Sequence, residues 1–354
     1  MRLHFYLCII LHDVKASSIN VNSPSKPATQ GDVAKAAGVS TATVSRVINQ
    51  PDSVRLGVRH RVQEAITTLQ YVADAAARAL ASKRSRCIGA VIPTLANAIF
   101  ADGIEAFESE LNQASLSLML TTSGYDSQHE LTQVRTLIER GVDAVMLVGL
   151  DHDPLIYALL EQRKIPYVLT WAYSSDCPHP CVGFNNYEAA KLIPLHLTTL
   201  GHQRFAIISG ISTGNDRAAD RLKGMEHALF AQGITLAQDD VIECNYSIEA
   251  GRAACRQLLT LSAPPTAILC SNDVLATGAL LECQASNIDV PGSVSITGFD
   301  DLAISANLTP SLTTMHIPFK LMGQRAAQYL IGRLAGATPQ AQQQLAVELR
   351  LRHS

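Results

Sequence analysis

Aromatic side chains are scarce in this chain of 354 residues: Phe, Tyr and Trp together make up 5%, and there is one Trp. An interior with so few rings must rest on Ala, Leu, Ile and Val. Charged residues are also sparse at 17%, against 47% hydrophobic, which excludes a disordered chain. No apolar run approaches the roughly 20 residues that cross a bilayer. Near the start the longest is Phe5 to Leu11. A membrane-spanning protein and a fibrous rod are therefore not expected, and no membrane partner is.

The eight cysteines are too dispersed for the disulfide framework of a small secreted domain, so a reducing, cytoplasmic compartment is expected. The only close pair, Cys177-Pro178-His179-Pro180-Cys181, has no second ligand pair at zinc-site spacing, and no metal is expected. Also lacking are a Gly-x-Gly-x-x-Gly after a strand, a phosphate-binding Walker loop, a nucleophile elbow and a His-Glu-x-x-His. Without these the chain reads as a non-enzyme that uses no cofactor.

Charge is unevenly distributed. Residues 28–86 carry nine Lys or Arg against four acids, a net of +5, and residues 1–27 add +2. The total is −3, so residues 87–354 hold −10. A small basic module on an acidic body points to a polyanion partner for the module. Residues 1–27 are expected to be a dispensable, disordered leader, because Ser, Asn and Pro dominate from Ser17 to Ala28.

The basic module reads as three helices. Thr29 can cap one that begins near Gly31, and Gly38 supplies the left-handed residue that ends it. Ser40 or Thr41 can cap the next, in which Val44, Val47 and Ile48 recur at i, i+3, i+4 and face inward. That leaves Thr41, Ala42, Ser45 and Arg46 facing outward. A third helix is expected from about Val58 to Gln70. Two short helices around a Gly-centred turn, closed by a third, describe a helix-turn-helix unit. Small residues let its second helix enter the major groove, and Arg can pair bidentately with guanine. A three-helix bundle with no DNA role fits the same pattern.

Beyond Arg86, apolar strands alternate with amphipathic helices, as in Cys87–Pro93, Phe100–Ala114, Leu116–Thr121, Glu130–Arg140 and Asp143–Gly149. The cycle restarts near Glu188, with helices expected at Arg221–Gln232 and Asp273–Ser286. This is the signature of parallel sheet covered on both faces, in two α/β lobes.

The run Asp32-Val33-Ala34-Lys35-Ala36-Ala37-Gly38-Val39-Ser40-Thr41-Ala42-Thr43-Val44-Ser45-Arg46-Val47-Ile48-Asn49 resembles the DNA-binding headpiece of the LacI/GalR family of bacterial transcription regulators. Val182 to Asn186, Leu200-Gly201-His202, Ser271-Asn272-Asp273, Gly298-Phe299-Asp300-Asp301 and Leu312 to Pro318 match further family motifs. Ile317 stands there in place of the usual Gln, and Ala73-Asp74 in place of a common Pro-Asn.

The resemblance implies an α/β fold: a helix-turn-helix headpiece plus a two-lobed, type I periplasmic-binding-protein-like core with parallel sheets. The implied domains are a headpiece at 28–72, a hinge helix or linker at 73–86, and an effector-binding and dimerisation core at 87–354. The first lobe would hold about 87–186 with 318–338, and the second about 187–316 with 339–354. DNA contacts are implied at Thr29, Gln30, Thr41, Ala42, Thr43, Ser45, Arg46 and Asn49, with Leu80 wedged into a central base step. Effector contacts are implied at Phe100, Trp171, Arg221, Tyr246 and Asp273. The implied function is that of a homodimeric repressor on a pseudo-palindromic double-stranded operator, controlled by a small-molecule effector such as a sugar or sugar derivative. The alternative is a soluble small-molecule-binding protein without DNA-binding activity.

Overall fold

The computed structural model describes residues 27–73 and 84–354. The chain divides into two compact units, at residues 78 and 79.

In the first unit the helices are α1 (Gln30–Ala37), α2 (Thr41–Asn49) and α3 (Leu56–Thr68). A reciprocal cap starts α1. The Asp32 amide donates to Thr29 Oγ1 at 3.3 Å, and the Thr29 amide donates to Asp32 Oδ2 at 2.8 Å. Gly38, at φ +64°, ends it. Ser40 caps α2 by accepting the Thr43 amide at 3.2 Å. Val33, Ala34, Ala37, Val44, Val47, Val62 and Ala65 form the core. The third helix ends earlier than its apolar spacing implies, because Gln70 adopts φ +49°, outside the helical region. Arg61 Nε donates to the Ala37 carbonyl at 3.3 Å, so α3 closes the free end of α1.

The second unit has two α/β lobes. The first lobe is a parallel sheet ordered β11-β5-β4-β3-β1-β2. Its strands are β1 (Cys87–Ile92), β2 (Ser117–Thr122), β3 (Ala144–Val148), β4 (Tyr167–Thr170), β5 (Cys181–Gly183) and β11 (Gln342–Gln344). Helices α4 (Ala98–Gln113), α5 (Ser127–Glu139), α6 (Pro154–Gln162) and α11 (Phe319–Leu334) cover it. The second lobe is a parallel sheet ordered β7-β6-β8-β9. Its strands are β6 (Phe205–Gly210), β7 (Val241–Cys244), β8 (Ala267–Cys270) and β9 (Ser295–Thr297). They are covered by α7 (Asn186–Thr199), α8 (Asp216–Ala231), α9 (Ile248–Leu259) and α10 (Asp273–Ala285). The central strands β3, β6 and β8 are buried along their whole length, which is why they read as unbroken apolar runs.

The chain returns from the second lobe through β10 (Thr314–His316), which pairs antiparallel with β12 (Glu348–Arg350). Residues 339–354 do not belong to the second lobe as a block, contrary to the sequence expectation. Gln342–Gln344 pairs in parallel with Cys181–Gly183 and so extends the first lobe's sheet. Three consecutive glutamines carry no apolar signal, so this edge strand is held by its backbone ladder. Cys181 lies in β5, and its thiol donates to Gln342 Oε1 at 2.8 Å.

Candidate functional site

In parallel α/β lobes, ligands bind at the carboxyl ends of the strands. Here those ends carry an inner cavity of about 20 Å³, lined from both lobes. The first lobe contributes Asn97, Ile99 and Phe100 at the start of α4, Tyr125 after β2, and Trp171 after β4. The second contributes Asn215, Arg217 and Arg221 at and in α8, Tyr246 after β7, Asn272 before α10, and Asp300 after β9. That volume holds about one water, so the lobes are closed around the site.

Arg221 is the hub. It lies in the second turn of α8, because the helix starts at Asp216 with Asn215 as its cap, five residues earlier than its apolar spacing implies. It is 4% exposed. Its Nε donates to Asn186 Oδ1 at 2.8 Å, and its Nη1 donates to the Ser271 carbonyl at 2.9 Å and to Asp300 Oδ1 at 3.2 Å. The guanidinium stands 3.9 Å above the centre of the Phe299 ring. Asn186 in turn donates to the Trp171 carbonyl at 3.0 Å. A polar chain thus runs from Asp300 through Arg221 and Asn186 to the backbone that carries the Trp.

Trp171 is fully buried at φ +62°. Its ring lies 5.4 Å from Phe100 and 6.3 Å from Phe319. Helix α4 comes this close because residue 103 is Gly; a Cβ there would sit 2.7 Å from the indole. Tyr125, at φ +63°, faces Tyr246 across the lobes with ring centres 6.3 Å apart. Burial pushes the Tyr125 phenol up to about 12, with Tyr246 reinforcing it, and burial raises the Tyr246 phenol too.

Three buried polar atoms on the cavity wall have no hydrogen-bond partner: Trp171 Nε1, Asn272 Nδ2 and Asp300 Oδ2. Leaving such groups bare costs about 1–3 kcal/mol each. Two are donors and one is an acceptor. Burial pushes the Asp300 carboxyl up to about 8, against the pull of Arg221.

Phe100, Trp171, Arg221 and Tyr246 thus converge on one cavity. Asp273 does not. Its carboxylate turns away to accept the Leu302 amide at 2.8 Å, the Ser305 hydroxyl at 2.5 Å and the Thr314 hydroxyl at 2.6 Å. Burial raises its pKa while these three bonds oppose the rise. It ties α10 to the loop after β9. The neighbouring cap residue Asn272 faces the ligand space instead, as does Asp300. Asp300 stands in a quoted motif, and the sequence signal for it was the strand end that precedes it.

Two larger spaces flank the inner cavity, and Tyr125 borders all three. One, of about 410 Å³, is lined by Asp126, Glu130, Asp151, Asp153 and Asp216 along with His152 and Arg217. The other, of about 680 Å³, has no charged residue in its lining.

On the first unit, α2 presents Thr41, Ala42, Arg46 and Asn49 as exposed residues, with Thr43 and Ser45 half-buried. Five of the expected contact side chains, those of Thr29, Gln30, Thr43, Ser45 and Asn49, are occupied within the unit; Thr43 Oγ1 shares a hydrogen bond with Ser40 Oγ at 2.9 Å, and Ser45 Oγ accepts from Asn49 Nδ2 at 3.2 Å. Gln30 Nε2 donates to the Thr41 carbonyl at 2.9 Å, and Asn49 Nδ2 to the Ser45 carbonyl at 2.9 Å. Thr29 Oγ1 is part of the α1 cap. Leu80 lies outside the described residues.

Residues 29–74 match the model of bacterial regulatory proteins of the lacI family, and residues 195–354 that of a periplasmic binding protein-like domain. The HTH-type transcriptional repressor PurR of Vibrio atlanticus is 30% identical over 311 residues, 87% of this chain and 92% of that protein. A solved lac repressor dimer bound to operator and the anti-inducer ONPF superposes with a TM-score of 0.81 at 30% identity, covering 93% of this chain and 99% of that one. A LacI-family regulator from Silicibacter pomeroyi superposes at 0.84 with 25% identity, covering 93% and 99%. Among the described residues no helix is long and apolar enough to cross a membrane. With a lacI-type helix-turn-helix, a two-lobed core and relatives that are transcription regulators over nearly their full length, the chain belongs to the lacI family of bacterial regulatory proteins and is a DNA-binding transcriptional regulator.

Proposed function

We propose that the protein is a cytoplasmic, homodimeric repressor. Residues 28–72 read a pseudo-palindromic operator, residues 73–86 form a hinge whose Leu80 enters the central base step, and a hydroxyl-bearing ring of the sugar class acts as effector between the core lobes. Thr41, Ala42, Thr43, Ser45 and Arg46 lie on or beside the exposed side of α2, which suits insertion into the major groove, about 12 Å wide. Thr29, Gln30 and Asn49 border it and serve the phosphates or the groove edges once their internal bonds exchange.

The observation that carries the effector reading is the set of three bare polar atoms on the inner cavity. A sugar hydroxyl both donates and accepts, so adjacent hydroxyls satisfy Trp171 Nε1, Asn272 Nδ2 and Asp300 Oδ2 together. The closed lobes leave room for about one water, so a ring enters only as the lobes part, and Phe100 and Trp171 then supply the apolar walls against which it packs. Because both lobes touch the ligand, its affinity depends on lobe arrangement, and that difference is what shifts operator affinity.

Operator selection from random double-stranded DNA, repeated with and without a panel of sugars and purines, tests the reading. A selected palindrome whose enrichment changes with one panel member supports it. Selection of no sequence rejects the repressor assignment, and a palindrome indifferent to the whole panel rejects the effector class.

A further inference from the structure

The DNA and effector readings leave the cysteines unused. Two of them meet in the second lobe: Cys255 on α9 and Cys283 on α10 are fully buried, with their sulfurs 3.8 Å apart. They meet because the two helices cross at glycines. A Cβ on Gly251 would stand 2.5 Å from the Leu275 carbonyl oxygen, and one on Gly278 would collide with the Ile248 carbonyl. The two thiols come about one turn beyond this crossing. Arg252 Nε and Arg256 Nε clamp the same stretch by donating to Glu282 at 3.1 and 2.7 Å.

The pair differs from the other buried thiols. Burial raises the pKa of Cys87, Cys181, Cys244 and Cys270, which keeps them protonated and inert. At Cys283 a hydrogen bond from Cys255 lowers the pKa and outweighs burial. The same bond, with burial, raises that of Cys255. Cys283 is thus the nucleophile of the two and Cys255 the partner that holds its proton. Sulfurs buried this deeply select for a small oxidant.

We propose that Cys255 and Cys283 are a reversible oxidation site for hydrogen peroxide, and that their disulfide resets the ends of α9 and α10 that carry Tyr246 and Asn272. The Cys283 sulfur attacks one peroxide oxygen and the O–O bond breaks; the other oxygen leaves as water with the Cys283 proton. The Cys255 sulfur then attacks the sulfenic acid, the S–S bond forms and the S–O bond breaks, and a second water leaves with the Cys255 proton. Two electrons pass from the sulfurs to the peroxide, and a dithiol returns them. Bonding draws the sulfurs from 3.8 Å to about 2.0 Å. With the glycine crossing as fulcrum, closing the thiol ends spreads the opposite ends. There Tyr246 precedes the Ser247 cap of α9, and Asn272 caps α10. Both of these side chains line the inner cavity.

The full chain is treated with hydrogen peroxide, its free thiols are alkylated, and its peptides are mapped by mass spectrometry. Operator affinity is read by fluorescence anisotropy on the selected palindrome before and after. The expected result is a Cys255–Cys283 link and an operator affinity changed by roughly fivefold or more, both reversed by dithiothreitol in the wild-type chain. Oxidised glutathione, too bulky for the buried sulfurs, leaves both thiols free. Cys283→Ser and Cys255→Ala each abolish the response, and Cys270→Ser keeps it. Absence of the link, a link through Cys270 instead, or linkage by oxidised glutathione overturns the peroxide site. A link that leaves operator affinity unchanged, or a Cys283→Ser protein that still responds, overturns the switch.

Discussion

Arg221 Nη1 lies 3.2 Å from Asp300 Oδ1, and both side chains are buried on the inner cavity wall. The pair leaves Asp300 Oδ2 bare. The next residue sends its carboxylate elsewhere: Asp301 accepts from Arg352 at 2.5 Å and lies 2.9 Å from His316 Nδ1 on β10. Two consecutive acids, both at positive φ, therefore face different tasks, one toward the ligand space and one toward the returning strand.

Asp300→Asn should abolish effector binding with little loss of fold, because the amide is isosteric and Arg221 keeps Asn186 and the Ser271 carbonyl as partners. Asp273→Asn should do the reverse. It removes an acceptor from a buried three-bond cluster, which costs about 1–3 kcal/mol of stability, while effector affinity of the folded protein stays within about twofold. Denaturant titration beside effector calorimetry on both variants checks this. If Asp273→Asn lost effector binding at unchanged stability, the assignment of Asp273 to the structural cluster would be wrong.

The Asp300 carboxyl sets a pH dependence. Its pKa rises from the usual carboxylate range near 4 toward about 8 in the fold, so the folded state binds the proton more tightly than the unfolded chain does. Its contribution to stability is full below about pH 4 and is lost as pH rises through about 8. A ligand hydroxyl that donates to Oδ2 favours the ionised form, so effector binding near pH 7 should release a proton and strengthen up to about pH 8. Calorimetry in buffers of different ionisation enthalpy measures the proton count. Proton uptake on binding is the contrary result.

Gly103→Ala should push the indole of Trp171, since the new Cβ would stand 2.7 Å from a ring that Phe100 and Phe319 confine. Overpacking of this kind costs about 1–3 kcal/mol. Trp171 is the only Trp, so its fluorescence reports the change directly, and effector affinity should fall with it. An unshifted emission spectrum with unchanged affinity would show that the indole is not confined by α4.

Arg46→Ala should weaken specific operator binding while leaving effector binding intact. The side chain is exposed on α2 and makes no hydrogen bond or ion pair to any described residue, so its loss should not disturb the three-helix core. One bidentate base contact is worth about 1–3 kcal/mol of discrimination, and a dimer loses two. Footprinting at fixed, moderate salt is the check, with an unchanged footprint and affinity as the contrary outcome.

The headpiece was legible because its signals are local: a cap at Thr29, Gly38 at positive φ, and Val44, Val47 and Ile48 one helical turn apart. Parallel sheet was legible in the apolar runs of β3, β6 and β8. The edge strand β11 was not, although the opposite edge, β2, was legible in Leu116–Thr121. Gln342–Gln344 has no apolar pattern and owes its place to a backbone ladder with β5. In the cavity, four of the five expected residues converge, Trp171 and Tyr246 just past a strand and Phe100 and Arg221 in the first turns of a helix that follows one. Asp273 shows where local reading stops. It and Asn272 are neighbours at a helix start, and which of them faces the ligand depends on Ser305 and Thr314, distant in sequence.

The most direct test of the account is operator affinity, measured by fluorescence anisotropy on the selected palindrome, for the wild-type chain and for Asp300→Asn, each with and without the effector found by titration. The account predicts a shift of roughly 5- to 150-fold in the wild type. It predicts none in Asp300→Asn, with the operator affinity of the ligand-free proteins equal. An Asp300→Asn protein that responds to the effector as the wild type does would contradict it.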